Sequence, residues 1–467
     1  MPGPSLWSAD RRALTIGLIL TTTFVASESL AVSTVMPVVA DDLGDLPLYG
    51  WVFAGFFLGN LVGIALAGRE VDRHGLVRPF AIGLGLFAAG LVLGGIAPSM
   101  PILVAARILQ GIGAGFEPPV AYVAAGRHYP DVLRPRLFCW LSVAWVLPGI
   151  AGPALAAGVA GAFGWRIVFL GLLPLIAVAG WLTLRALAAA SQARVRAGSP
   201  GVTASRGTIV DRGRLWLAVR LAIGGGLLVA SSTLDLRGLA LPGIVAFIAA
   251  PLVAGLGLAL GIPAFRRLTP AGTLSARRGL PAAILLRGFL TFAFFGADPY
   301  VPYLLVTVRG ADVALGGIAL TAATVAWTAG AWIQARLMAQ LGPRPLIAAG
   351  FAVLALGVAG LLPVLDPATP VELAVATFGV AGLGMGLAYS PLSIVMLRVA
   401  PAGGEGAASS ALSLSDVLGT ALGTGLAGAL LAAAVGLGAG EAAGLAAAFG
   451  ASIVVALGGL ALARRLP

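Results

Sequence analysis

The sequence predicts an all-α integral membrane protein of fourteen transmembrane helices, laid out as six, two and six. Three observations carry this. The 467-residue chain is 59% hydrophobic and only 10% charged, against about 25% charged residues in soluble globular chains. Its apolar residues fall in long runs, each near the roughly 20 residues that cross about 30 Å of hydrocarbon. Its charges gather in the joints between runs, with arginine concentrated in alternate joints.

The runs cover roughly residues 13–37, 48–68, 79–98, 101–124, 137–160, 165–188, 215–233, 239–265, 281–306, 313–338, 345–364, 371–397, 407–435 and 440–463. Each is expected to be a helix, because an open strand edge leaves backbone groups unsatisfied in lipid. The first run lacks a clear small-residue cleavage site and reads as a retained span, not a signal peptide. A polar, basic stretch (SQARVRAGSPGVTASRG) and a second basic stretch (FRRLTPAGTLSARR) flank two runs joined by the tight turn TLDLRG. The expected organisation is a six-helix half over 1–188, a basic cytoplasmic loop over 189–214, two extra helices over 215–265, a second basic loop over 266–280 and a six-helix half over 281–467.

All 29 basic residues are arginines. With the N-terminus inside, Arg166, Arg237 and Arg309 fall in outer loops, and Arg107 and Arg287 fall within spans. Those five leave 24 of the 29 at the inner face. Arg287, near the inner end of its span, is expected to snorkel to the interface. The outer loops instead hold Asp41, Asp42, Asp45, Asp235, Asp312, Asp366, Glu372 and Glu441. The positive-inside rule therefore puts both termini in the cytoplasm, and Arg464 and Arg465 at the C-terminus support an even number of spans.

Composition excludes several function classes. The net charge of +11 does not mark a nucleic-acid binder, since the arginines lie in short loops between apolar runs. The absence of lysine removes a P-loop and a Schiff base. An ATP-driven pump would need a second protein as its motor. Cys139 is the only cysteine, so no intramolecular disulfide forms, and His74 and His128 sit in charged loops, so no metal site or other cofactor is expected. No nucleophile with a base is present to support an enzyme. A membrane-embedded enzyme or a non-transporting receptor is the competing class.

Charges inside the apolar runs are the candidate functional groups, because a buried carboxylate needs a partner, a water-filled cavity or a proton. Glu28 stands in FVASESLAVSTVMP, about 22 Å from the inner face at 1.5 Å per residue. Arg107 lies about 9 Å from the outer face. The two are at similar depth and are expected to pair or to share a cavity. Glu117, ten residues beyond Arg107 and on another face, is not its partner. It precedes Pro118 and Pro119, where the helix must kink or end. Asp298 is expected in the outer third of its span and Asp416 near mid-depth. These acids either serve a proton or substrate, or pair with backbone or arginine in packing alone. Trp145, Tyr300, Tyr303, Trp327 and Tyr389 are candidate cavity aromatics, with lipid-facing or core positions as the alternative.

Several stretches resemble the major facilitator superfamily. GREVDRHGLVR resembles its loop signature through Gly68, Asp72, Arg73, Gly75 and Arg78, with Leu76 where a basic residue is usual. There the carboxylate can cap a helix while the arginines bridge to a neighbour. ARILQGIGAG carries R-x-x-Q-G at Arg107, Gln110 and Gly111. WVLPGIAGPALAAGVAGAFGWR resembles the glycine–proline signature of its antiporters through Gly149, Gly152, Pro153 and Gly158, with Ala157 replacing part of a glycine pair. Small residues at such spacing let helices approach closely. Glu28 lies nine positions before Pro37, as an acidic residue does in the fourteen-span drug:proton antiporters, with Glu for the commoner Asp and Ser33 for the usual Asn. GAWIQARLMAQLGPRP is similar to a degenerate second loop signature, which suggests an internal repeat.

The resemblance covers nearly the whole chain and implies a major facilitator fold with two pseudo-symmetric halves. It implies that the first, second, fourth and fifth helices of each half line a central cavity, which would bring Glu28, Arg107, Glu117, Asp298 and Asp416 to cavity helices. It implies a secondary active efflux transporter that exchanges drug-like, cationic or amphipathic small molecules for protons by alternating access. An exporter of a lipid or an endogenous metabolite on the same scaffold is the alternative. The expected setting is a bacterial inner membrane. The expected partners are the bilayer, protons and a small-molecule substrate, in a monomer that an accessory protein can join.

Overall fold

Long apolar runs become helices because a helix satisfies its own backbone in lipid. The computed structural model describes residues 5–9, 11–130, 132–196, 212–233, 243–401 and 404–467, which are helical almost throughout. Most of the basic stretch expected between 189 and 214, and the turn with Asp235 and Arg237, lie outside the described residues. The helices are α1 (Arg12–Leu43), α2 (Tyr49–His74), α3 (Val77–Gly95), α4 (Met100–Ala114), α5 (Glu117–His128), α6 (Arg134–Phe163), α7 (Trp165–Leu170), α8 (Leu172–Arg196), α9 (Arg212–Thr233), α10 (Gly243–Leu268), α11 (Leu280–Phe295), α12 (Tyr300–Tyr303), α13 (Val313–Leu341), α14 (Pro343–Ala359), α15 (Leu373–Val399), α16 (Glu405–Gly436) and α17 (Glu441–Ala463).

Thirteen helical stretches among the described residues are long and apolar enough to cross a membrane. The run expected as a fourth span is two shorter helices, α4 and α5, broken at Gly115 and Phe116. Pro118 and Pro119 cause the break. They lack the N–H groups that would bond back into α4, yet suit the first turn of a new helix. Pro37, Pro148, Pro153 and Pro391 sit inside helices without ending them. On α1 the small hydroxyls bond back into their own helix: Thr21 to Gly17 O, Thr22 to Leu18 O, Ser27 to Thr23 O and Thr34 to Leu30 O. That is how a polar-looking segment becomes compatible with an apolar surround.

In the first group of helices α1 packs on α6 and α8, and α4 on α2 and α3. In the last group α11 packs on α16 and α17, and α15 on α13 and α14. The α2–α3 turn places Gly75 at φ 73°, and the α13–α14 turn places Gly342 at φ 73°. Only glycine takes this conformation without strain, and the same turn glycine recurs in the loop signature and its degenerate copy. The expected Asp72 cap does not form: no side chain caps α3. Asp72 lies in the last turn of α2, where side chains tilt back toward their own helix start. Glu70 makes the local contacts instead, lying 3.0 Å from His74 Nδ1 and forming an ion pair with Arg78 at 3.5 Å. Leu76 is buried beside Phe80 and Val120, which suits an apolar residue and not a basic one.

Two seams join the groups, α2 against α16 and α6 against α13. α9 lies against both α2 and α16, and α10 packs on α9. Leu58, Leu61, Ala222 and Ala421 form one buried cluster there, so the extra pair covers the α2–α16 seam. In the glycine–proline stretch of α6, Gly149 meets Thr324 and Pro153 meets Gly317 of α13. Gly158 faces open space. It is nine residues from Gly149, about two and a half turns, and so on the opposite face. The expectation of close helix approach holds at Gly149 and Pro153 and not at Gly158 or at Gly152, whose only near neighbour is Pro148 of its own helix.

The groups close on each other at the end that carries the acidic loops. Tyr49 Oη donates to Pro299 O at 2.9 Å across the groups, and Tyr300, whose Oη donates to Thr424 O at 2.6 Å within its own group, lies against Gly50 and the Tyr49 ring. The Tyr49 ring packs edge-on to Tyr303 at 5.0 Å. Gly50 and Gly428 bring the α2 and α16 backbones together. Among the described residues, Arg166 and Arg309 of this end are loop staples. Arg166 donates to Asp42 at 2.9 Å and to Ala97 O at 3.3 Å. Arg309 donates to the carbonyls of Val364, Asp366, Pro367 and Thr369. Toward the arginine-rich end Tyr122 is 60% and Trp145 49% exposed.

Gly428→Val puts a branched side chain against Gly50 and is expected to wedge this end open, overpacking of this kind costing about 1–3 kcal/mol. Spin labels at Asp45→Cys and Gly438→Cys, in a Cys139→Ser background, should separate relative to the same labels on Gly428. An unchanged distance would contradict the closure described.

Candidate functional site

A charge in hydrocarbon needs a partner, and two arginine–carboxylate pairs lie inside the bundle. In the first group, the R-x-x-Q-G stretch puts Arg107 and Gln110 three apart on one face of α4. Gly111 lies against the Phe56 backbone of α2, where a Cβ would collide with the Phe56 carbonyl. That close approach lets Arg107 reach across α2 to α1. Its Nη1 donates to Glu28 Oε1 and, at 2.7 Å, to Gln110 Oε1. Its Nε donates to Val52 O at 3.1 Å. The guanidinium also stacks over the Phe56 ring at 4.4 Å, a favourable cation–π placement. Both members are sealed, Glu28 and Arg107 each 1% exposed. Glu28 Oε2 and Gln110 Nε2 have no partner among the described residues. A pair this buried is not a gain in stability over an apolar pair of the same shape, because desolvation offsets the attraction. Its value lies in what happens when one member changes charge.

The second pair lies in the last group. Arg287 Nε is 3.2 Å from Asp416 Oδ2. Its Nη1 donates to Tyr389 O at 2.6 Å, and its guanidinium lies 3.1 Å from the Tyr389 ring centroid. Tyr389 Oη donates to Asp416 Oδ2 at 2.8 Å. Trp327 packs on Tyr389 at 5.3 Å and on Phe294 at 5.5 Å. Arg287 therefore does not snorkel: it is 5% exposed. An inward carboxylate at reachable height outcompetes the interface for the guanidinium. Sequence alone did not mark Arg287 as part of a site. The signal was there, since Arg287 and Asp416 lie at comparable distances from the same end of the bundle.

The remaining candidates are dispersed. Glu117, at the start of α5, accepts from Thr22 Oγ1 at 2.6 Å and has no arginine partner among the described residues. It borders a cavity of about 30 Å³ with Thr21, Phe24, Phe87 and Phe116, room for about two waters. Asp298 is 8% exposed and faces Ser33 of α1 across the closed end. Tyr300 and Tyr303 belong to that closure, at 0% and 2% exposure, and line no open cavity in this structure. Tyr303 Oη donates to Glu441 at 3.1 Å. Trp327 and Tyr389 border the second pair, and Trp145 is exposed on α6. Tyr49, the residue that ties α2 to Pro299, escaped sequence reasoning because an aromatic at a helix start has no distinctive pattern.

Removing one member of a buried pair leaves an uncompensated charge, at a cost of about 3–5 kcal/mol. Arg107→Gln is expected to lower stability by that order, read by thermal unfolding in detergent. Adding Glu28→Gln to it should restore most of the loss. Equal stability of the single and double variants would show that the pair is not the strained element.

The Major Facilitator Superfamily model matches residues 16–424. The multidrug transporter protein MdtP of Bacillus subtilis is 27% identical over 390 residues, 83% of this chain and 69% of that protein. The methylenomycin A resistance protein of Streptomyces coelicolor is 26% identical over 413 residues, 87% of this chain and 82% of that protein. Among solved structures, a partially occluded inward-open conformation of the xylose transporter XylE from E. coli aligns with a TM-score of 0.63 at 14% identity, covering 96% of this chain and 97% of that one. The last is a likeness of fold alone.

Proposed function

The chain belongs to the major facilitator superfamily, a multi-pass membrane transporter and not an enzyme, and from that premise we propose that it exports drug-like, cationic or amphipathic molecules in exchange for protons. The observation that carries the coupling is the sealed Glu28–Arg107 pair. Drug efflux is supported by the relatives named for multidrug transport and methylenomycin A resistance.

In this reading α4 and α5 together cross the membrane once. That completes fourteen spans arranged as six, two and six, with residues 1–188 and 281–467 as the two halves and both termini cytoplasmic in a bacterial inner membrane. The closed, acidic end is then the outer one, and the conformation is inward-facing. The halves rock about the central site to give alternating access. When Glu28 takes a proton its charge is gone, and the ion pair with Arg107 goes with it. Arg107 keeps Gln110, Val52 O and the Phe56 face, so its N–H groups stay partnered while its charge goes uncompensated. A neutral Glu28 thus changes the relation of α1 to α4, and a proton taken from outside and released inside would drive the cycle. Glu117 and Asp298 are further candidates for proton binding. Glu117 is held beside a water-sized cavity, and Asp298 lies where the halves touch at the closed end.

The test is proton flux in liposomes that hold the purified protein and a pH-sensitive dye, with tetraphenylphosphonium or ethidium added. Substrate addition should release protons from the native protein, and Glu28→Gln should abolish that release. Glutamine can still accept the Arg107 hydrogen bond, but the uncompensated guanidinium costs stability, so transport is read only from protein whose fold is verified by thermal unfolding in detergent. Full gradient-driven export by Glu28→Gln would overturn the assignment.

A further inference from the structure

The arginine-rich end of the first group carries a cavity of about 210 Å³, against about 30 Å³ beside Glu117. Its walls are Ser5, Leu6 and Trp7 ahead of α1, and Arg136 and Trp140 on α6. The segment ahead of α1 is pinned. Leu6 is 4% exposed in the cluster with Phe80, Val120 and Leu137, and Thr15 Oγ1 donates to its carbonyl at 3.2 Å. With Leu6 inward, its neighbour Trp7 turns outward and meets Trp140 edge-on at 5.5 Å. Arg136 and Trp140 are four residues apart and so share a face of α6. The polar groups of the cavity are one-sided in their chemistry. They are the Arg136 guanidinium, two indole N–H groups and the Ser5 hydroxyl, and none of the described walls is acidic. Arg136 and both indole nitrogens make no hydrogen bond or ion pair among the described residues. The flanking stretches 5–12 and 127–140 carry five arginines against two aspartates. Trp7 and Trp140 are 47% and 42% exposed, and tryptophan rings favour the boundary between lipid and water. The occupant that fits is an acceptor-rich anion on an apolar stem.

We propose that this cavity seats the headgroup phosphate of an anionic phospholipid of the inner leaflet. Arg136 binds the phosphate oxygens, which match its planar fork of donors. The indole N–H groups are further donors, and the Trp7 and Trp140 rings and Leu6 receive the apolar part of the lipid. Anionic lipids are drawn to basic clusters of this kind at the cytoplasmic face. A choline headgroup presents the same phosphate with a cation attached, which the arginines repel, so the site discriminates by headgroup charge. A lipid held there bridges the segment ahead of α1 to the start of α6. This goes beyond the export reading and takes from it only that the arginine-rich end faces the cytoplasm.

Native mass spectrometry of the purified full-length protein, titrated in detergent with phosphatidylglycerol or phosphatidylcholine, tests this. The native protein should hold a phosphatidylglycerol at least about tenfold more tightly than phosphatidylcholine. Arg136→Gln should bring the two lipids level. Trp140→Leu keeps the arginine, removes one indole donor and one wall, and should also lose most of the preference. Both side chains are exposed, so the fold should survive either change, and an unaltered melting temperature without added lipid checks that it does. Arg464→Gln removes one charge from the same end but outside the cavity and should leave the preference intact. No preference in the native protein would overturn the proposal, as would its retention in Arg136→Gln. An equal loss in Arg464→Gln would show a diffuse charge effect and overturn it too. Displacement of phosphatidylglycerol by millimolar inorganic phosphate would assign the cavity to a free anion instead of a lipid. None of these outcomes depends on proton flux, so native liposomes in which no probe moves protons would sink the export reading alone.

Discussion

In hydrocarbon a lone charge is so costly that each ionised group must find a partner or lose its charge. The structure turns on how this constraint is met at Glu28. Meeting it takes Arg107 on α4, Gly111 to let α4 approach α2, Gln110 to hold the guanidinium from the side, and the Phe56 ring and Val52 carbonyl to receive it. Three helices are thereby fixed relative to one another by one ion pair. Because the pair is sealed, changing one charge disturbs all three helices, and this is the property a coupling site requires.

The same constraint is met differently in the second group. Arg287 and Asp416 join α11 to α16, but the acid stays partly exposed, at 20%. Tyr389 supplies a hydroxyl for the carboxylate, and a carbonyl and a ring for the guanidinium. One pair is shut and one is partly open.

Backbone approach decides where the groups can touch. Gly50 against Gly428 and Gly149 against Thr324 mark the two seams, and the Tyr49, Tyr300 and Tyr303 rings fill the closed end. α9 lies across the first seam and nothing comparable among the described residues covers the second. The extra pair thus gives the molecule a covered side and an uncovered one, although each group alone repeats a similar helix plan.

Much of this was legible from composition and spacing. Apolar run length determines that the chain is a bundle of membrane helices, since no other structure satisfies a backbone in lipid. Depth along the helix put Glu28 and Arg107 at the same height, which is a matter of counting residues. Gly75 and Gly342 were legible too, as turn residues in a repeated loop. Rotation about the helix axis was not. Whether Arg287 turns outward to water or inward to Asp416, whether Tyr300 lines a cavity or seals an end, and whether Asp72 or Glu70 makes the local ion pair each depend on which neighbour stands opposite. Height is a property of one helix and can be read along the chain. Facing is a property of two helices, and only their packing decides it.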